Sequence, residues 1–91
     1  MKALGEILKE LREEKKISQR GLSEKTGLTQ THISKIESNL VEPTIATIFK
    51  ICKSLEIDAA VVSNLMAKSF KSYLQINYGE EYSKRKISIT T

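Results

Sequence analysis

Four side chains in the middle of the chain stand at a spacing that suits hydrogen-bond chemistry. Gln30, Thr31, Ser34 and Lys35 follow an i, i+1, i+4, i+5 pattern, which on a helix puts them on one outward edge. None is needed for a core, and all can donate hydrogen bonds. Gln30 is suited to a two-pronged contact with adenine N6 and N7. Thr31 offers a methyl for thymine and a hydroxyl for a base or a phosphate. Lys35 reaches guanine O6 or N7, or a phosphate, while Ser34 is small enough to let a helix sit deep. A slender helix with such an edge fits the major groove of duplex DNA.

The elements that must position this edge are written around it, from Ser18 to Ser38. Ser18 is a good N-cap, because its hydroxyl can accept from a free backbone N–H. Leu22 faces inward, and Gly27 tolerates the positive φ on which helices commonly end. Thr29 caps the next helix, whose Ile33 and Ile36 form an apolar stripe with Leu28 just before the cap. The polar edge is therefore the face opposite the core. His32 lies between that edge and the turn, as a phosphate contact or as a partly exposed spacer.

This segment resembles the helix-turn-helix of the phage repressor and Cro family, also called the XRE family. The matching residues are Ser18-Gln19, Leu22-Ser23, Thr26-Gly27-Leu28-Thr29, Ile33-Ser34, Ile36-Glu37-Ser38-Asn39 and Pro43-Thr44, and the likeness covers roughly residues 2 to 66. It implies an all-α fold, a five-helix lambda-repressor-like DNA-binding domain, here with an extended C-terminal helix and tail. By the same resemblance, Gln19 binds a phosphate and braces Gln30. Arg12 pairs with Glu37, tying the first helix to the end of the recognition helix; a solvated Arg12 is the alternative. Lys16, Arg20, His32, Ser38, Asn39 and Thr44 are the further candidates for contacts with the DNA backbone, which position without specifying.

Composition agrees with a small binding domain. Ninety-one residues suffice for a single core, and 40% hydrophobic with 5% aromatic residues makes that core mainly Leu, Ile and Val. The net charge of +4 is a mild basic excess that suits nucleic acid or an ordinary surface. From Lys15 to Ser38 five cations oppose two carboxylates, so the motif itself is locally basic. One cysteine excludes an internal disulfide, and one histidine leaves no metal constellation of usual spacing. Cys52, among apolar neighbours, reads as a core residue rather than a reactive thiol. There is no phosphate loop or nucleophile elbow, so no enzyme, cofactor or small-molecule ligand is expected. The longest apolar run, Ala59 to Val62, is far too short for a membrane, and the charged N-terminus is no signal peptide. A cytoplasmic protein is expected.

Periodicity places the remaining helices. Leu4, Ile7, Leu8 and Leu11 predict a first helix over residues 2–15. Gly21 is unusual inside the second; it allows close approach of the DNA backbone or has no role. After the Asn39–Pro43 loop, Thr44 caps a fourth helix with an Ile45, Ile48, Phe49, Cys52, Leu55 stripe. That loop carries Leu40, Val41 and Glu42 where relatives place cations. Leu40 and Val41 either pack beneath the domain or join a subunit interface, the second being favoured. Asp58 caps a fifth helix, in which Val62, Leu65, Met66, Phe70, Tyr73 and Leu74 keep helical spacing to about Gln75. This divides the chain into a DNA-binding domain at 1–66 and a helical extension and tail at 67–91. The surplus apolar residues of the extension point to a homodimer, with Leu40, Val41, Phe70, Tyr73 and Leu74 at its interface. The tail beyond, with Lys84, Arg85 and Lys86, reads as a small hairpin or a frayed end. The expected function is a dimeric regulator, commonly a repressor, binding an inverted-repeat operator in double-stranded DNA. The competing expectation is a protein-interaction module or antitoxin subunit that keeps the same fold.

Overall fold

The computed structural model describes residues 2–68, 70, 71 and 74. Five helices follow one another: α1 (Leu4–Glu14), α2 (Gln19–Thr26), α3 (Gln30–Glu37), α4 (Ile45–Ser54), and α5 from residue 59 to 68, with 70, 71 and 74 also helical. Among the described residues there is no strand. The expected tail hairpin, the Lys84–Lys86 cluster and Tyr73 lie outside the described residues.

Three helices start on a hydroxyl cap. Ser18 Oγ accepts from Gly21 N at 2.9 Å, Thr29 Oγ1 from His32 N at 3.0 Å, and Thr44 Oγ1 from Thr47 N at 3.1 Å. Each satisfies one of the N–H groups that a helix start leaves without an internal partner. Asp58 does the same for α5, its Oδ1 accepting from Ala60 N at 2.8 Å. Ala3, the residue before α1, has no such side chain. The missing acceptor comes from far along the chain: Asn39 Oδ1 accepts from Gly5 N at 3.1 Å.

The core consists of Leu8, Leu22, Ile33, Ile36, Ile48, Ile51, Cys52, Leu55 and Leu65, with Leu4, Ile7, Leu11, Ile17, Leu28, Val41, Ile57, Val62 and Met66 packed around it. Two expectations are corrected here. The buried stripe of α4 is Ile48, Ile51, Cys52 and Leu55, while Ile45 and Phe49 are about half exposed. Both sets fit a helical period because α4 is apolar on two sides, so spacing alone cannot choose between them. Val41 is half-buried against the core, so of the loop's two apolar residues only Leu40, 74% exposed, is left at the surface.

Gly21 also has a structural reason. A Cβ there would lie 3.2 Å from Ile17 Cγ2 and 3.3 Å from Ser18 Oγ, crowding the residues that start α2. Its cost in a helix interior, about 1 kcal/mol relative to Ala, is set against that crowding.

Candidate nucleic-acid interface

The turn before the reading helix is held by side chains as well as by glycine. Gly27 sits at φ 80° and its N–H donates to the Ser23 carbonyl at 2.8 Å. Thr26 Oγ1 donates to the Leu22 carbonyl at 2.8 Å and accepts from Leu28 N at 3.1 Å, and Ser23 Oγ donates to the Leu28 carbonyl. With Thr29 capping the next turn, the direction in which α3 leaves the turn is fixed by local bonds. Ile33 and Ile36, each 1% exposed, fix its rotation about its own axis.

That rotation turns the opposite face outward. Gln30, Thr31 and Lys35 are exposed and Ser34 is half-buried. Together with Gln19 they line one shallow concavity of about 420 Å³. His32 is half-buried beside it. Its surface is built of hydrogen-bonding groups plus one cation, which is what a base edge or a phosphate requires.

Behind this face lies a charged hub joining three helices. Arg12 Nε donates to Glu37 Oε2 at 2.7 Å and Nη2 to Oε1 at 3.0 Å, a two-pronged pair whose side chains are 9% and 4% exposed. Arg12 Nη1 donates to the Ile17 carbonyl at 2.6 Å, just before the Ser18 cap. Hydrogen bonding to Glu37 raises the Arg12 pKa above its ordinary value, with burial acting against it. The carboxylate closes α3, where the helix dipole disfavours a negative charge; the guanidinium offsets that.

Gln19 belongs to the same hub. Its Nε2 donates to Glu37 Oε1 at 3.0 Å. The amide is thus tied to the end of α3, rather than to Gln30 as the resemblance implied. Sequence pattern gave no sign of this bond, since Gln19 and Glu37 stand 18 residues apart.

The expected backbone-contact residues fall into two groups. Lys16, Arg20 and Ser38 are exposed. Arg20 lies 3.5 Å from Glu24 in a solvated pair, which leaves it free to exchange partners. Asn39 and Thr44 already have structural partners. Asn39 Oδ1 caps α1, and the Thr44 hydroxyl both accepts from Thr47 N and donates to Thr47 Oγ1 at 3.0 Å. For Asn39 the remaining Nδ2 donor is the group suited to a phosphate.

Among the described residues no group of three His, Cys, Asp or Glu is arranged to hold a metal, and no helix is long and apolar enough to cross a membrane. Cys52 is fully buried, and desolvation pushes its thiol pKa up, opposite to the shift that activates a nucleophile.

Comparison with known proteins agrees with this geometry. A family model described as helix-turn-helix matches residues 8–62, which include all of α2, α3 and α4. An uncharacterized HTH-type transcriptional regulator, y4dL, of Sinorhizobium fredii (strain NBRC 101917 / NGR234) is 33% identical over 67 residues, covering 74% of this chain and 34% of the relative. The chain thus spans about a third of the length of that relative. The family match covers more than half of the chain, and the chain belongs to the XRE family of helix-turn-helix, DNA-binding transcriptional regulators.

Proposed function

We propose that this chain is a cytoplasmic repressor that binds an inverted-repeat operator as a homodimer, with α3 of each copy in the major groove. One observation carries the reading: α3 buries Ile33 and Ile36 completely while it holds Gln30, Thr31, Ser34 and Lys35 around a single outward concavity. Gln30 and Lys35 read bases, Thr31 contacts a thymine methyl or a phosphate, and Ser34 admits the helix to depth. Lys16, Arg20, His32, Ser38, the Asn39 Nδ2 group and the backbone at Thr44 hold phosphates. Two copies about a twofold axis place their recognition helices about 34 Å apart, one turn of DNA.

Residues 1–66 form the DNA-binding part and 67–91 the dimerisation element. Exposed Leu40 and Phe70 give support to an apolar interface, to which Leu74 and Tyr73 contribute. Binding to operator-like and scrambled duplexes at several salt concentrations tests the proposal. A regulator shows a preferred sequence and a slope of roughly 0.9 log units per phosphate neutralised. Footprinting on the DNA flanking its own gene then locates the operator, and sedimentation gives the copy number.

A second reading is favoured by the loop after α3, where Leu40 and Glu42 are both exposed and no cation is present. An interaction module or antitoxin subunit built on the same fold shows neither sequence preference nor steep salt dependence in that assay.

A further inference from the structure

Beside the end of the reading helix the surface has a recess with a projection next to it. Leu4 and Gly5 of α1, Glu42 and Pro43 of the loop after α3, and Lys68 of α5 border a cleft of about 290 Å³. Leu40 borders it too, yet most of that side chain is exposed. The loop is held at both ends: Leu40 N donates to the Lys35 carbonyl at 2.9 Å, and Pro43 is buried. Leu40 therefore stands on a fixed backbone, and little freedom is lost when it makes a contact.

The charges around the cleft decide what fits it. Glu42 is exposed and has no ion-pair partner among the described residues, although it shares the cleft with Lys68. Lys68 gives its ammonium to the Lys2 carbonyl instead, which leaves two of its three N–H groups for another acceptor. A carboxylate beside an exposed leucine is a poor surface for a phosphate backbone. A fitting partner brings an apolar projection, a cation and an anion. A second copy of the same patch brings all three, because a twofold contact sets one residue of the patch against a different residue of its mate.

We propose that a second copy of this chain docks here about a twofold axis, with Leu40 of each copy entering the other's cleft and Glu42 of each pairing with Lys68 of the other. The inference rests on the homodimer proposed above and names the contact that forms it. Because Leu40 is bonded to the last turn of α3, the same contact fixes how far apart the two reading helices stand.

Charge reversals carried on separate chains test the pairing. Sedimentation equilibrium of the full chain gives the dimer dissociation constant, and thermal melting confirms that each variant is folded. Leu40→Ser should raise that constant on the order of 100-fold, because two leucines leave the contact at once. Glu42→Lys and Lys68→Glu should each raise it on the order of tenfold, since two exposed attractions become repulsions. An equimolar mixture of these two chains should dimerise as tightly as the unmodified protein. In the mixed dimer each reversed charge faces an opposite charge on its mate, whereas within either chain the two like charges stay together. Phe49→Ser, in the separate groove between α4 and α5, should leave the constant unchanged.

An unmodified protein that dimerises, with Leu40→Ser dimerising equally well, overturns the inference and leaves the proposed function standing with its contact elsewhere. Loss of the dimer in Phe49→Ser alone does the same and moves the contact to the α4–α5 groove. A mixture no tighter than its two components overturns the pairing, because charges acting only within one chain behave that way. An unmodified protein that stays monomeric at every concentration, with and without duplex, overturns both the inference and the homodimer.

Discussion

The backbone N–H of Gly5 donates to Asn39 Oδ1 at 3.1 Å, so the first turn of α1 is capped by a residue 34 positions further along the chain. Asn39 can do this because it closes α3 in the left-handed conformation, at φ 62°, which Asn adopts more readily than most residues. Its N–H donates to the Ile36 carbonyl and that of Leu40 to the Lys35 carbonyl, satisfying the helix end. Gly5 supplies the other half: a Cβ on it would overlap the Ile36 carbonyl oxygen and lie 2.5 Å from Asn39 Oδ1.

Gly5→Ala should therefore be severe despite the better helix propensity of alanine. A main-chain carbonyl at the end of a packed helix cannot swing away as a side chain can, so α1 and α3 must separate. A loss of about 3 kcal/mol is expected, at the upper end of the usual overpacking range. A urea titration with an unchanged slope and a lowered midpoint is the result that supports this. Equal midpoints for the two proteins would show that the helices do not approach at Gly5.

Arg12→Ala should chiefly reduce stability. It leaves Glu37 buried with only the Gln19 amide for a partner, and stranding one charge of a buried pair costs about 3–5 kcal/mol. Thermal melting checks this directly. Weakened DNA binding at an unchanged melting temperature would mean that the pair does not hold the fold.

Much of this arrangement was legible before any coordinates. Ser18, Thr29 and Thr44 announce helix starts because a hydroxyl residue before an apolar-periodic run has one obvious use, and each makes the bond expected. Gly27 likewise stands where a left-handed residue is required. What escaped is non-local. Gly5 has no side chain to register on a periodic pattern, and its importance is set by a carbonyl on another helix. The Asn39 cap and the Gln19–Glu37 bond join residues far apart in sequence, and either side chain alone suits a phosphate equally well. On α4, Phe49 and Ile51 are both apolar, and only the placement of α2 against α4 decides which is covered.

Two helix ends carry a left-handed residue that sequence does not advertise: Lys16 at φ 57° after α1 and Glu56 at φ 55° after α4. Each makes the same paired closing bonds as Asn39, with Ile17 N donating to the Arg12 carbonyl and Ile57 N to the Cys52 carbonyl. A side chain with a Cβ is strained there, by roughly 1–2 kcal/mol, and glycine is not. Glu56→Gly should raise stability by about 0.5–1 kcal/mol after the added flexibility of the unfolded chain is counted. A higher urea midpoint is the expected reading, and a lower one would show that the Glu56 side chain contributes more than its backbone costs.

Cys52 links the core to alkaline pH. Burial raises its pKa above the ordinary 9.0, so the folded state disfavours the thiolate. A raised folded value means the contribution is fully present below about pH 9 and declines as pH climbs toward the folded pKa. Melting temperature should therefore fall above pH 9. Cys52→Ala, less stable at every pH because it leaves a small cavity, should show a shallower fall over that window. Parallel curves for the two proteins would remove Cys52 as a cause.

Gln30→Ala separates reading from folding. The side chain is exposed at the first position of α3 and makes no hydrogen bond within the described residues, so its removal should leave the melting temperature within about 0.5 kcal/mol of equivalent stability, as is usual for surface positions. The same change should cost about 1–3 kcal/mol of discrimination at one or two base pairs per half-site, the worth of a two-pronged contact to adenine. Loss at those positions alone, with the salt slope retained, identifies Gln30 as a base reader, because phosphate contacts set that slope and tell no sequence apart. A uniform loss of affinity for all duplexes would instead assign it to the backbone. Melting of the domain would mean that the outward face of α3 is not the one described.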